Sequence, residues 1–256
     1  MTLAHDMTGS GPTAVLLHST VCDRRMWDPQ WRALEKTGHR LVRCDFRGYG
    51  DTPASDVPYT DADDVLALLD ELGVERAVLV GASYGGRAAL DIALRAPHRV
   101  TALALLCPGL PDLEPSPALA DFDRRETELF DADELEAAAE LNARAWLGPE
   151  AGPAVHESVA AMQLGAFRLQ SAAAEEYDGA TDFDVPSLAG VRAPSLVLSG
   201  GHDFPCFRAS AARAAALLPG ADHRELAWAG HLPGLERPEP ITDLLTEFLT
   251  GPARRP

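Results

Sequence analysis

The chain has 256 residues, 46% of them hydrophobic, and a formal net charge of −17 from 39 acidic and 22 basic side chains. The apolar fraction is that of an ordinary globular protein and excludes a disordered chain. The charge argues against nucleic acid or an anionic membrane as partner, because both are repelled at long range and no basic cluster offsets that repulsion.

The opening stretch MTLAHDMTGSGP has no basic segment followed by an apolar one, and no run approaches the length of a membrane span. Export and insertion are not expected, so the predicted location is cytoplasmic. Cys22, Cys44, Cys107 and Cys206 are scattered without metal-ligand spacing and read as free thiols in a reducing compartment. Neither a metal nor a cofactor is implied. The partner expected is a small molecule, and no oligomeric state is legible.

Three short apolar runs, TAVLLHS at 13–19, LVRCDF at 41–46 and RAVLVGAS at 76–83, are each followed by a helical pattern. Such alternation implies βαβ units and a parallel sheet buried on both faces. TALALLCP at 101–108 and SLVLSG at 195–200 extend the series, and HRELAWAG at 223–230 is a candidate last strand. Residues 61–73, DADDVLALLDELG, mix acidic and apolar residues at helical spacing and end at Gly73, a C-terminal cap signal. Between about 112 and 187 the alternation stops. That segment has no strand-like run and three amphipathic patterns, the last reaching AAAEEY, and reads as a helical cap over the sheet. The predicted fold is α/β, a doubly wound and mostly parallel sheet, with core segments 1–111 and 188–256 flanking a cap at 112–187.

The stretch Gly81-Ala82-Ser83-Tyr84-Gly85 lies where a strand meets the helical pattern GGRAALDIALRA. A strand-to-helix turn this sharp needs small flanking residues and projects a serine Oγ at the C-terminal edge of the sheet. The helix that follows adds partial positive charge where an oxyanion would develop. Serine is a weak nucleophile near neutrality; it needs a base, and the base needs an orienting carboxylate. Asp203 follows the strand SLVLSG, and His231 follows HRELAWAG, both on the same sheet edge as Ser83. The competing readings are structural: a turn serine, an aspartate that caps the next helix, a surface histidine. Asp112, past the strand that ends near Cys107, is an alternative acid. The backbone N–H of Tyr84 and that of Thr20, in the loop after TAVLLHS, are the candidate oxyanion donors.

These residues resemble the α/β-hydrolase family over nearly the whole chain. His18 stands where that family has a His-Gly pair, Asp45-Phe46-Arg47-Gly48-Tyr49-Gly50 is similar to its D-x-R-G-x-G loop, and Ser83, Asp203 and His231 fall in triad order. HSTVCDRRMWDPQW and GHLPGLERPE look similar to the enol-lactonase and small-ester hydrolase branch. Ser19 replaces the usual glycine, which makes the loop carrying Thr20 less free to take the family's conformation. Leu232 follows the histidine where carbon–carbon bond hydrolases of this fold usually show tryptophan, and a serine at 83 argues against the carboxylate-nucleophile mechanisms of epoxide hydrolases and haloalkane dehalogenases. There is room for one strand before TAVLLHS, where the family often has two.

Arg24 and Arg25 follow the candidate oxyanion loop, either to bind a substrate carboxylate or to form a structural ion pair with the DFRG loop. Trp27 reads as a core residue beneath that loop. Arg24, Trp146, Phe204 and Leu232 are the candidate substrate contacts, and Phe122 and Phe167 either line the pocket or pack the cap. The activity implied is a serine hydrolase acting on a small carboxylic ester or lactone through an acyl-enzyme. The alternatives are perhydrolysis, acyl transfer or cyclisation by the same triad, and a non-catalytic receptor that keeps the fold.

Overall fold

The computed structural model describes residues 2–173, 179–180 and 182–251. The end of the third cap pattern at 174–178, and the last five residues of the second core segment, lie outside the described residues. Seven strands form one sheet: β1 His5–Thr8, β2 Thr13–Leu17, β3 Arg40–Cys44, β4 Ala77–Ala82, β5 Val100–Leu106, β6 Ser195–Gly200 and β7 Asp222–Leu226. Their order across the sheet is β1-β3-β2-β4-β5-β6-β7, with β1 antiparallel to β3 and every other pair parallel. The single strand before β2 is the one for which the sequence left room. The last predicted strand is shorter than its apolar pattern, because residues 227–230 leave the ladder and turn into a loop.

The helices are α1 Asp28–Glu35, α2 Asp61–Glu71, α3 Tyr84–Arg95, α4 Pro117–Asp131, α5 Leu135–Trp146, α6 Pro153–Ser171, α7 Pro205–Leu217, α8 Pro233–Glu236 and α9 Pro238–Thr250. Local chemistry sets several of their ends. The Thr60 hydroxyl accepts the N–H of Asp63 at the start of α2, three aspartates occupy its first turn, and Gly73 sits just past its end with φ +65°.

The two faces of each parallel strand are buried separately, as the period of two requires. Ala14, Leu16, Val80, Ala104 and Leu198 face one side, in a core shared with Leu34 of α1 and Ile241, Leu245 and Leu249 of α9. Val15, Leu17, Leu79, Leu105 and Val197 face the other, against Val65 and Leu69 of α2, Leu90 of α3 and Ala211 of α7. Helices α4 to α6 lie between β5 and β6 in the chain, and their Phe122, Trp146, Val159 and Met162 join the first of these cores.

Register aligns the C-terminal ends of the strands. Leu17 pairs with Gly81, Leu106 with both Ala82 and Leu198, and Gly200 with Leu226. Chain order reverses between β2 and β4, the switch point where open α/β sheets hold their ligands. His18 and Ser83 flank that point.

Candidate active site

Ser83 has φ +51° and ψ −113°, a left-handed backbone that a non-glycine residue holds only where its surroundings enforce it, at about 1–3 kcal/mol. The enforcement is visible. The Ser83 N–H donates to Leu106 O of β5 at 2.8 Å, and the N–H groups of Gly86 and Arg87 close back on Ser83 O at 2.9 and 3.1 Å. A Cβ at Gly81 would lie 2.3 Å from Gly85 O, and one at Gly85 would lie 2.4 Å from Leu17 O. Both glycines of the motif are therefore demanded by close backbone approach.

Asp203 lies three residues beyond β6 and is buried. Its Oδ2 meets His231 Nδ1 at 2.6 Å, and its Oδ1 accepts the Phe204 N–H at 2.7 Å. Helix α7 starts at Pro205 with Phe204 as its cap residue, so the helix-capping alternative for Asp203 does not describe its role. His231 is 2% exposed, which removes the surface-histidine alternative. Its N–H donates to Trp146 O at the end of α5, at 2.8 Å. Its ring packs against both Trp146 and Phe207, with centroids 4.6 and 4.5 Å away, and those two rings also touch each other at 5.4 Å. Asp112 instead pairs with Arg213 on the surface at 2.6 Å, which corrects its candidacy as the acid.

Cys107 is a buried thiol with φ +49°, and it was missed as a site neighbour because strand ends far apart in sequence leave no spacing signal. One donor atom each of Cys107, Asp203 and His231 lie within 4.8 Å of one another. Burial, with the Asp203 carboxylate beside it, pushes the thiol pKa well up, so Cys107 is a neutral donor here.

The loop after β2 carries Thr20. The His18 ring is fully buried, with Nδ1 on Ser19 O at 2.8 Å and Nε2 accepting the Phe46 N–H at 3.0 Å. Because a trans peptide sets C=O and N–H on opposite sides, turning Ser19 O toward His18 turns the Thr20 N–H away from it. His18 O also accepts the Gly85 N–H at 3.1 Å, which ties this loop to the Ser83 turn. Ser19 is not among the residues with left-handed φ, so the position does not require glycine's conformational freedom.

Burial lowers the His18 pKa below its ordinary 6.5, since a charged ring would lose solvation and its Nε2 acceptor role. Its folded pKa lies below the unfolded one, so the stability from keeping it neutral is complete above 6.5 and is lost as pH falls below that value. A His18→Gln variant should therefore lose less melting temperature than wild type between pH 8 and pH 5. Equal losses in thermal scans would refute the assignment.

One of the candidate substrate contacts is corrected. The Arg24 guanidinium is held by Asp45, by Asp6 at 3.1 Å and by Asp51 at 2.7 Å, the ion pair with the DFRG loop. Three carboxylates fix its orientation, which is the structural ion-pair reading of this residue. Arg25 is likewise paired, with Asp23 at 2.6 Å. Leu232 is 1% exposed and belongs to the same apolar cluster as Trp146 and Phe122. Trp146 and Phe204 do gather beside His231, their centroids 5.0 Å apart, with Phe122 5.3 Å from Trp146. Phe167 packs elsewhere, against Phe130. Trp27 is fully buried, as the core reading requires.

A family model described as the alpha/beta hydrolase family matches residues 14–244. The chain belongs to the alpha/beta hydrolase family. This alpha/beta hydrolase is 30% identical over 240 residues to a putative carbamate hydrolase, RutD, of Caulobacter sp. (strain K31), covering 89% of this chain and 86% of that one. Among solved structures, the enol-lactonase from Burkholderia xenovorans LB400 superposes with a TM-score of 0.79 at 28% identity, covering 97% of this chain and 96% of the other. Est816, described as an N-acyl homoserine lactone degrading enzyme, gives 0.78 at 27%, over 96% of each chain. Some relatives match over a part only: for epoxide hydrolase 3 of Siraitia grosvenorii the similarity is 40% over 103 residues, a third of that protein. No helix among the described residues of this alpha/beta hydrolase is long and apolar enough to cross a membrane.

Proposed function

We propose that this hydrolase cleaves a small carboxylic ester or lactone, with Ser83 as nucleophile, His231 as base and Asp203 as its orienting acid. The observation that carries the reading is the buried 2.6 Å contact between His231 Nδ1 and Asp203 Oδ2, on the sheet edge where Ser83 is held in a left-handed turn. Asp203 accepts a hydrogen bond from the Nδ1–H, which leaves Nε2 to take the Ser83 proton as Oγ attacks the carbonyl. The backbone N–H groups of Thr20 and Tyr84 receive the oxyanion. His231 returns the proton to the leaving oxygen, then activates water to free the acyl group. Trp146 and Phe204 provide an apolar wall for the acyl or ring portion. Similarity to an enol-lactonase and to an N-acyl homoserine lactone degrading enzyme supports the substrate class. The serine at 83, where epoxide opening needs a carboxylate, turns the reading away from the epoxide hydrolases.

The test is a panel of short esters and lactones, with intact-mass detection of a fluorophosphonate adduct. Turnover of at least one member and a single adduct on wild type, absent from Ser83→Ala, are expected. Labelled protein without turnover on any member would sink the substrate class. No adduct and no turnover would bring the receptor reading forward. A second reading, perhydrolysis, draws on 26% identity over 97% of this chain to a putative non-heme bromoperoxidase, BpoC, of Mycobacterium tuberculosis. Peracid formation from a carboxylic acid and peroxide, faster than ester hydrolysis in water, would favour it.

A further inference from the structure

We propose that Glu236 is a positioning residue whose carboxylate sets the place of His231 by gathering the backbone N–H groups on both sides of it and one from the cap; the inference rests on the hydrolase reading above. Glu236 ends the short helix α8 and is 7% exposed. Its Oε1 and Oε2 accept the Gly230 N–H at 3.1 and 2.9 Å, and Oε1 accepts the Leu232 N–H at 3.2 Å. The Gly148 N–H, just past α5, donates to the same carboxylate.

The residues around His231 have left the β7 ladder, so the sheet does not supply their acceptors. The three successive N–H groups of Gly230, His231 and Leu232 go to Glu236, Trp146 O and Glu236 in turn. One buried side chain therefore joins the histidine loop to the cap. The two backbones cross at contact distance: a Cβ at Gly148 would lie 2.4 Å from Glu236 Oε2 and 2.5 Å from Gly230 N, and one at Gly230 would lie 2.4 Å from Gly148 N.

A carboxylate suits this place better than its neutral isostere. Two oxygens without protons face several converging donors, whereas glutamine offers one oxygen and turns an NH2 group against peptide N–H groups. Replacing it by an apolar residue would orphan all three N–H groups. A shift of the loop by a fraction of an ångström moves His231 Nε2 relative to Ser83, and proton transfer is sensitive to displacements of that size.

The experiment compares Glu236→Gln with wild type on p-nitrophenyl acetate, with Ser83→Ala alongside and folding checked by near-UV circular dichroism. Expected for Glu236→Gln are a kcat about tenfold to a hundredfold lower and a KM within about twofold. A folded variant with wild-type kcat overturns the inference, even if its melting temperature falls, because the role is then structural alone. If Glu236→Gln does not fold, Gly148→Ala presses on the same carboxylate from the cap side, and wild-type kcat in that variant overturns the inference equally. Wild-type turnover by Ser83→Ala removes the hydrolase reading itself. Turnover lost in Ser83→Ala and unchanged in folded Glu236→Gln removes only the positioning role.

Discussion

Ser83→Ala is expected to lower kcat on the best ester or lactone by about five to six orders of magnitude while leaving the fold intact. The expectation combines chemistry with geometry. Alanine lacks the oxygen that attacks, so no acyl-enzyme forms, and the residual rate reflects what oxyanion donors and binding alone do for water. The backbone is unaffected, because alanine and serine carry the same Cβ at φ +51° and the Ser83 N–H bond to Leu106 O needs no side chain. Melting temperature should therefore stay close to wild type. Ser83→Gly makes the complementary test: it is equally inactive, and it relieves the left-handed strain of about 1–3 kcal/mol, so it should melt higher unless the added chain entropy cancels the gain. Turnover within tenfold of wild type in folded Ser83→Ala, measured at saturating substrate, would rule out Ser83 as nucleophile.

Asp203→Asn should cost about four orders of magnitude in kcat, and the reason lies in the partners of the two carboxylate oxygens. Oδ1 accepts the Phe204 N–H at 2.7 Å and Oδ2 faces His231 Nδ1 at 2.6 Å. An asparagine keeps its oxygen toward the peptide N–H, which places its NH2 against Nδ1. Nδ1 must then accept, and the imidazole proton moves to Nε2, where it faces Ser83 and blocks proton uptake. The loss should appear in kcat and in the fluorophosphonate labelling rate together, with little change in KM. A fall of less than tenfold in both would take Asp203 out of this role.

Much of the fold was legible because its signals are local. Apolar runs bounded by turns and followed by amphipathic helices lead to a parallel sheet, and six of the seven strands overlap runs read from the sequence. The serine turn was legible for the same reason, since two glycines and a strand–helix junction fall within five residues. Arg24 illustrates where that reading stops. Its sequence neighbourhood allowed a substrate contact or an ion pair, and only the approach of β1, β3 and the DFRG loop brings Asp6, Asp45 and Asp51 around one guanidinium.

By itself the sequence determined the order of strands and helices, the helical segment between β5 and β6, the family, and the candidate serine, acid and histidine in their order. Those properties follow from periodicity, turn chemistry and short motifs, which act over a few residues. Only the tertiary structure decided which buried polar groups meet. Strand register brings residues 83, 107, 203 and 231 to one edge of the sheet, and the crossing of two glycines brings residues 148 and 236 to the histidine loop. The Gly148 N–H reaches the Glu236 carboxylate from a segment about ninety residues away, and no local pattern records that approach.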